Sequence, residues 1–178
     1  AQELVQQHIP PHTRQEMRVG LERAVRRANQ LGITSWHEAS ATEEILRAYT
    51  DADSLGRLTV RTVVALHVNV DSGPEQVQGL AALRDRYARP MVRPVAAKIF
   101  ADGVLEGGTA ALLADYTDRP GFRGDLNLPP ARFNAIARAL DSAGFKIHVH
   151  AIGDRAIRAS LDAIEQRLWS DYEQQFAQ

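Results

Sequence analysis

The chain has 178 residues, 21 Lys and Arg against 22 Asp and Glu, a formal net charge of −1, and no cysteine. That length supports one domain with a real core, and the near balance of charge gives no electrostatic case for a nucleic acid or a membrane surface as partner. The missing cysteines exclude disulfides, thiolate metal sites and cysteine nucleophiles. No apolar run approaches the ~20 residues that cross a bilayer. The polar start Ala1–His8 does not read as a leader, and a cytoplasmic protein is expected. The first residue is Ala1 rather than Met, so a processed product or a piece of a longer protein is expected too.

Residues 1–12, with Pro10-Pro11, read as a lead-in. Thr13-Arg-Gln-Glu16 matches a capping box, and Met17, Leu21, Ala24, Val25 and Ala28 then recur at helical spacing until Gly32. Ile33–Trp36 reads as a short strand followed by His37-Glu38. Ser40-Ala-Thr-Glu43 reads as a second capping box, opening a helix through Ile45, Leu46 and Tyr49. Leu58–His67 has the Val, Thr and Leu content of a buried parallel strand. Pro74–Arg86 is helical, with Val77, Leu80 and Leu83 inward, and Val92–Phe100 is the next strand. Ala101–Leu128 is a long glycine-rich loop with a short apolar patch at Thr109–Leu113, and loops of that length inside a compact domain are usually functional. Pro129-Pro130 opens a helix with Phe133, Ile136, Ala137 and Leu140 on its apolar face, stopped by Gly144. The strand of His148 and His150 follows. A last helix runs from about Asp154 to Trp169, with Ile157, Leu161, Ile164 and Leu168 inward, and 171–178 is a polar tail. Strands alternating with helices predict an α/β fold with a parallel sheet.

Period two puts His148 and His150 on one face near a strand end, and Gly153 and Asp154 follow in a turn. Two imidazoles and a carboxylate there suit a metal or acid–base site, and α/β folds bind ligands at the carboxyl ends of their strands. The same histidines could instead be hydrogen-bonded structural groups, and Asp154 an ordinary N-cap. Lys98 near the end of an apolar strand is unusual, because a buried ammonium needs a partner. Its stem could simply pack while its amine reaches water or Asp102. His37 and Glu38 follow the first strand and His67 ends the second. Each alone reads as a surface group, but with Lys98 and His150 they place a polar residue at or beyond every strand end, which points to a site along one edge of the sheet. Gly107-Gly108-Thr109 lacks the spacing of a phosphate loop, and no serine sits in a Gly-x-Ser-x-Gly elbow.

Three segments together resemble one family. They are Leu31–Ser35; Lys98-Ile-Phe-Ala-Asp-Gly103 with Thr109–Leu113 and Tyr116; and His150-Ala-Ile-Gly-Asp-Arg-Ala156. They look like the amidohydrolase superfamily, in particular the amidohydrolase family 3 branch with its N-substituted formamide deformylase-like metal-dependent hydrolases. The resemblance covers roughly Leu31 to Glu165. It implies a (β/α)8 barrel of the TIM type, of which this single domain would hold strands two to five. It also implies a divalent metal site, zinc by preference, with one or two ions. Lys98 would match the strand-four lysine, often carboxylated, and His150 the strand-five histidine, both as metal ligands. Asp102, His148 and Asp154 would lie behind them or orient the loop, with Glu106 and Arg123 as substrate-pocket candidates. The implied activity is hydrolysis of carbon–nitrogen bonds other than peptide bonds in a small amide-type substrate, by metal-bound hydroxide.

The family's His-x-His of strand one, histidine of strand six and aspartate of strand eight have no counterpart in these residues, and His8 and His12 do not replace them. The chain is therefore expected to be a fragment that is inactive alone, with the rest of the barrel or a second copy of itself as partner. Two other readings stay open at this point: a non-catalytic half-barrel that dimerises or binds a partner, and an unrelated α/β module that holds a small ligand.

Overall fold

A computed structural model describes Val5 and residues 7–176, with side chains as far as Glu165. The rest of the predicted lead-in, residues 1–4 and 6, lies outside the described residues, as do 177 and 178. Helix α1 (Arg14–Gln30) starts with the expected capping box: Glu16 N–H donates to Thr13 Oγ1 at 3.2 Å and Thr13 N–H donates to Glu16 Oε2 at 2.8 Å. It ends at Gly32, whose φ of +73° lets Ile33 N–H reach back to the Ala28 carbonyl at 2.9 Å. The same closing turn recurs after α2 (Glu43–Ser54) and α4 (Pro130–Ser142).

Strands β1 (Ser35–Ala41), β2 (Arg61–His67), β3 (Val92–Phe100) and β4 (Lys146–His150) form one parallel sheet in the order β1-β2-β3-β4. Helix α2 joins β1 to β2, and α3 (Gln76–Tyr87) joins β2 to β3. The long loop with α4 joins β3 to β4, and α5 (Asp154–Phe176) follows. The convex face of the sheet is the core. Val64, Leu66, Ala97 and Ile99 are buried there with Leu46, Tyr49, Val77, Leu80, Phe133, Ile136 and Leu140 from the helices. A Val, Leu, Ile or Phe among them contributes about 1.5–3 kcal/mol when fully buried.

The concave face is polar. Register pairs His67 with Lys98, Lys98 with His148 and Phe100 with His150, so these residues share one side of the sheet. His37 pairs with Val63, two pleats below His67, and belongs to the same side. A flat sheet spaces strands ~4.8 Å apart and would hold β1 and β4 about 14 Å from one another. The rings of His37 and His148 nevertheless lie 5.0 Å apart, so the sheet is strongly rolled. Four parallel strands rolled this way, with helices outside, make an α/β partial barrel.

Several expectations need correction. The first strand runs over Ser35–Ala41 rather than Ile33–Trp36, which puts His37 and Glu38 inside it. Ile33 is spent on the closing turn of α1. Ser40 is therefore a strand residue, not a cap; Thr42 is the N-cap of α2, without a side-chain cap bond. Helix α5 continues to Phe176, through most of the predicted polar tail. Its predicted inward residues Ile157, Leu161 and Ile164 are 44%, 58% and 41% exposed, while Ala156, Ser160 and Ala163 are the ones buried. Helix α5 contacts α4, with its small residues buried and its larger apolar stripe exposed among the described residues. The fourth predicted inward residue, Leu168, lies outside the described side chains. Among the described residues, no helix is long and apolar enough to cross a membrane.

Candidate functional site

Lys98 stands near the middle of the concave face and is 7% exposed. Its Nζ lies 4.7 Å over the Phe100 ring. Burial lowers its pKa from the usual lysine value, and among the described residues no carboxylate counters that effect. Beside it, His148 has its Nδ1 buried and without a hydrogen-bond partner. Burial first, then the charges of Lys98 and His37, hold the His148 pKa below the usual imidazole value. His67 Nδ1 is 3.2 Å from Ser40 Oγ, and the Phe100 ring lies 6.1 Å from His67 and 5.4 Å from His150. The concave face thus gathers nitrogen bases around a lysine that has no anion beside it among the described residues.

His150 ends β4, and its Nε2 is 2.8 Å from the Gly103 carbonyl oxygen. Asp102 is not Lys98's partner. Its carboxylate is fully buried and accepts backbone N–H groups from Ala111 at 2.9 Å, Ile152 at 3.0 Å and Gly153 at 2.8 Å. Asp154, at the first position of α5, accepts the Leu113 N–H at 2.7 Å and its own neighbour Arg155 N–H at 2.9 Å. The apolar patch Thr109–Leu113 is thereby stitched to the turn between β4 and α5. Gly153 permits it: a Cβ there would collide with the Ala111 backbone. Asn127 closes the other end of the loop, its Nδ2 donating to the carbonyls of Phe100 at 3.0 Å and Asp102 at 3.2 Å.

Of the candidates read from the sequence, Lys98, His148, His150 and Asp102 come together at the carboxyl ends of β3 and β4, joined by His37 and His67. Glu38 does not join them. It accepts the Tyr49 hydroxyl at 3.1 Å on the helix-covered side, and this contact and burial raise the tyrosine pKa. Arg123 is exposed and bound to Asp115 at 2.8 Å, and Glu106 is exposed in the turn between Val104 and Gly108. Sequence reasoning missed Asn127 as a loop anchor and the approach of His37 to His148. Neither has a local signal, since each depends on a residue at least 25 positions away.

The donors suit a metal in part. Among the described residues, an amine with a lowered pKa and no counter-ion and an imidazole nitrogen buried without a partner fit a cation site or a lysine made anionic by carboxylation. Among the described residues, no three His, Asp or Glu side chains converge as a complete ligand set.

Comparison with known proteins bears on the family and the fold. The sequence model of the amidohydrolase family (Amidohydro_3) matches residues 1–176. YtcJ of Bacillus subtilis (strain 168), named provisionally as an amidohydrolase, is 29% identical over 171 residues, covering 93% of this chain and 31% of that protein. Protein LONG AFTER FAR-RED 3 of Arabidopsis thaliana is 26% identical over 175 residues, 93% of this chain and 30% of its own length. Two crystal structures of uncharacterized metal-dependent hydrolases superpose on it, each at 25% identity. That from Pyrococcus furiosus has a TM-score of 0.73 and covers 93% of this chain and 34% of its own; that from Pyrococcus horikoshii OT3 has 0.72, 88% and 31%. The chain thus spans about a third of the length of these relatives. With rolled parallel strands, a buried lysine on β3 and a histidine ending β4, the chain belongs to the amidohydrolase family.

Proposed function

We propose that this chain is the part of a metal-dependent hydrolase that supplies two metal ligands, Lys98 and His150. The observation that carries the reading is Lys98: a buried amine with a lowered pKa and no anion beside it among the described residues, in register with His67 and His148 and one pleat below His150. A lowered pKa leaves more of the free, nucleophilic amine than an ordinary lysine has at the same pH. Carbon dioxide adding to its Nζ, with loss of a proton, would give a carbamate whose oxygens bind metal and whose charge removes the cost of burying an ammonium. The solved neighbours are named metal-dependent hydrolases, which supports a divalent metal, and nitrogen and oxygen donors suit zinc.

A bound divalent metal would polarise an acyl carbon–nitrogen group and acidify water toward a pKa of about 7. The residues here would do the holding. Lys98 and His150 would bind, with His148 packed beside Lys98 keeping a neutral imidazole against the site. Asp154 would fix the loop 101–128 as one wall, from which Glu106 and Arg123 would meet a small amide-type substrate.

The test is metal content and hydrolysis of simple N-acyl amides by the protein made from its complete reading frame. Wild type is expected to hold about one or two zinc ions per chain. Lys98→Ala and His150→Ala are each expected to weaken metal binding and activity by about 100-fold or more. A wild-type protein that takes up no divalent metal, or variants that keep it, would overturn the reading.

A further inference from the structure

We infer that Asp102 is a positioning residue: its buried carboxylate clamps the β3 loop onto the β4–α5 turn and thereby fixes which nitrogen of His150 faces the site. The inference rests on the function proposed above only in naming His150 a ligand. The clamp itself stands on geometry. A carboxylate with no exposed surface, and with no Lys or Arg paired to it among the described residues, is costly to bury, so its place needs an explanation. Here three backbone N–H groups from two separate segments satisfy it, Ala111 from the loop and Ile152 and Gly153 from the turn just after His150. Gly103, the residue next to Asp102, places its carbonyl oxygen 2.8 Å from His150 Nε2. A carbonyl only accepts, so Nε2 must carry the proton, and Nδ1 is left with the lone pair. The Asp102 Oδ1 atom sits 4.0 Å from the same Nε2, and its negative charge favours a proton there. One residue pair thus sets the position of the ring, through the turn, and its tautomer, through the neighbouring carbonyl.

The clamp also explains two local constraints. Gly153 cannot carry a Cβ because Ala111 is drawn against it, and Asn127 braces the Asp102 carbonyl from the far side. Both would be unnecessary if the loop were free to move relative to β4.

The experiment uses the complete, metal-free protein labelled with 15N-histidine, His150 being assigned with His150→Gln. Wild type is expected to show His150 as a single Nε2–H tautomer at neutral pH, with slow hydrogen exchange at the Ala111, Ile152 and Gly153 amides. Asp102→Asn keeps the volume and one acceptor oxygen. It is expected to raise exchange at Ile152 and Gly153 about tenfold or more, to mix the two His150 tautomers, and to weaken metal binding about 10–100-fold. Asp102→Ala should do the same more strongly; if it fails to fold, Asp102→Asn alone decides the matter. A wild-type His150 in the Nδ1–H form, or an unchanged tautomer and unchanged exchange in Asp102→Asn, would overturn the inference. A wild type that binds no metal but shows the Nε2–H signature and its loss would overturn the proposed function and leave the clamp standing.

Discussion

His148 shows what a single unpartnered nitrogen does to a protein's response to pH. Its pKa lies below the usual 6.5, because burial and then the charges of Lys98 and His37 oppose its protonation. The unfolded chain, with an ordinary imidazole, therefore binds a proton more readily than the folded one. Linkage gives the sign: stability from this residue is complete above about pH 6.5 and is lost as pH falls through the lowered folded value. In chelator-treated protein, the melting temperature should fall between pH 7 and pH 5, and His148→Gln should flatten that slope. An equal slope in the variant would place the acid sensitivity elsewhere. Lys98 obeys the same sign at higher pH, since burial also lowers its folded pKa. Metal-free protein should gain stability as pH rises from the lowered Lys98 value toward the usual 10.5, unless carboxylation has already removed the ammonium.

At the scale of elements, the loop 101–128 behaves as a fitted part rather than a flexible tether, and two glycines separate the two cases. A Cβ on Gly153 would press into the Ala111 backbone, whose carbonyl also accepts the Arg155 N–H at 3.1 Å. Gly153→Ala is expected to cost roughly 1–3 kcal/mol, the usual penalty of overpacking a close contact. Gly20, inside α1, has nothing within 4 Å of a built Cβ, so Gly20→Ala should stabilise by roughly 0.5–1 kcal/mol through helix propensity alone. Urea unfolding of both variants checks the pair, and a neutral Gly153→Ala would mean that the loop does not hold the turn. The contrast also shows what was legible beforehand. The alternation of strand and helix, the strand Val92–Phe100, the closing glycines and the segments around Lys98 and His150 are local patterns, and the sequence carries them openly. The Asp102 carboxylate was not legible as a backbone clamp, because its partners Ile152 and Gly153 lie 50 and 51 residues away. The inward face of α5 was misread for a related reason. Periodicity identifies an apolar stripe, but not what covers it.

That stripe matters most at the scale of the whole molecule. Ile157, Leu161 and Ile164 recur along one side of α5 and are 41–58% exposed among the described residues, and β1 and β4 each pair on one side only. The chain corresponds to about a third of the length of its relatives, and in a protein of their full length this surface is where the rest would pack. Two outcomes differ widely in size. An exposed leucine changed to alanine usually alters stability by no more than about 0.5 kcal/mol, whereas a buried one costs about 2–5 kcal/mol. In the protein made from its complete reading frame, Leu161→Ala is expected to cost at least about 2 kcal/mol by urea unfolding. Arg158→Ala, which removes only the surface ion pair with Asp162 on the same helix, should stay within about 0.5 kcal/mol. Losses of equal size would mean that the cost does not come from burial of the stripe, since alanine is at least as good a helix former as either residue it replaces. A Leu161→Ala protein as stable as wild type would mean that the stripe faces solvent, and that nothing packs on α5 to close the barrel against β4.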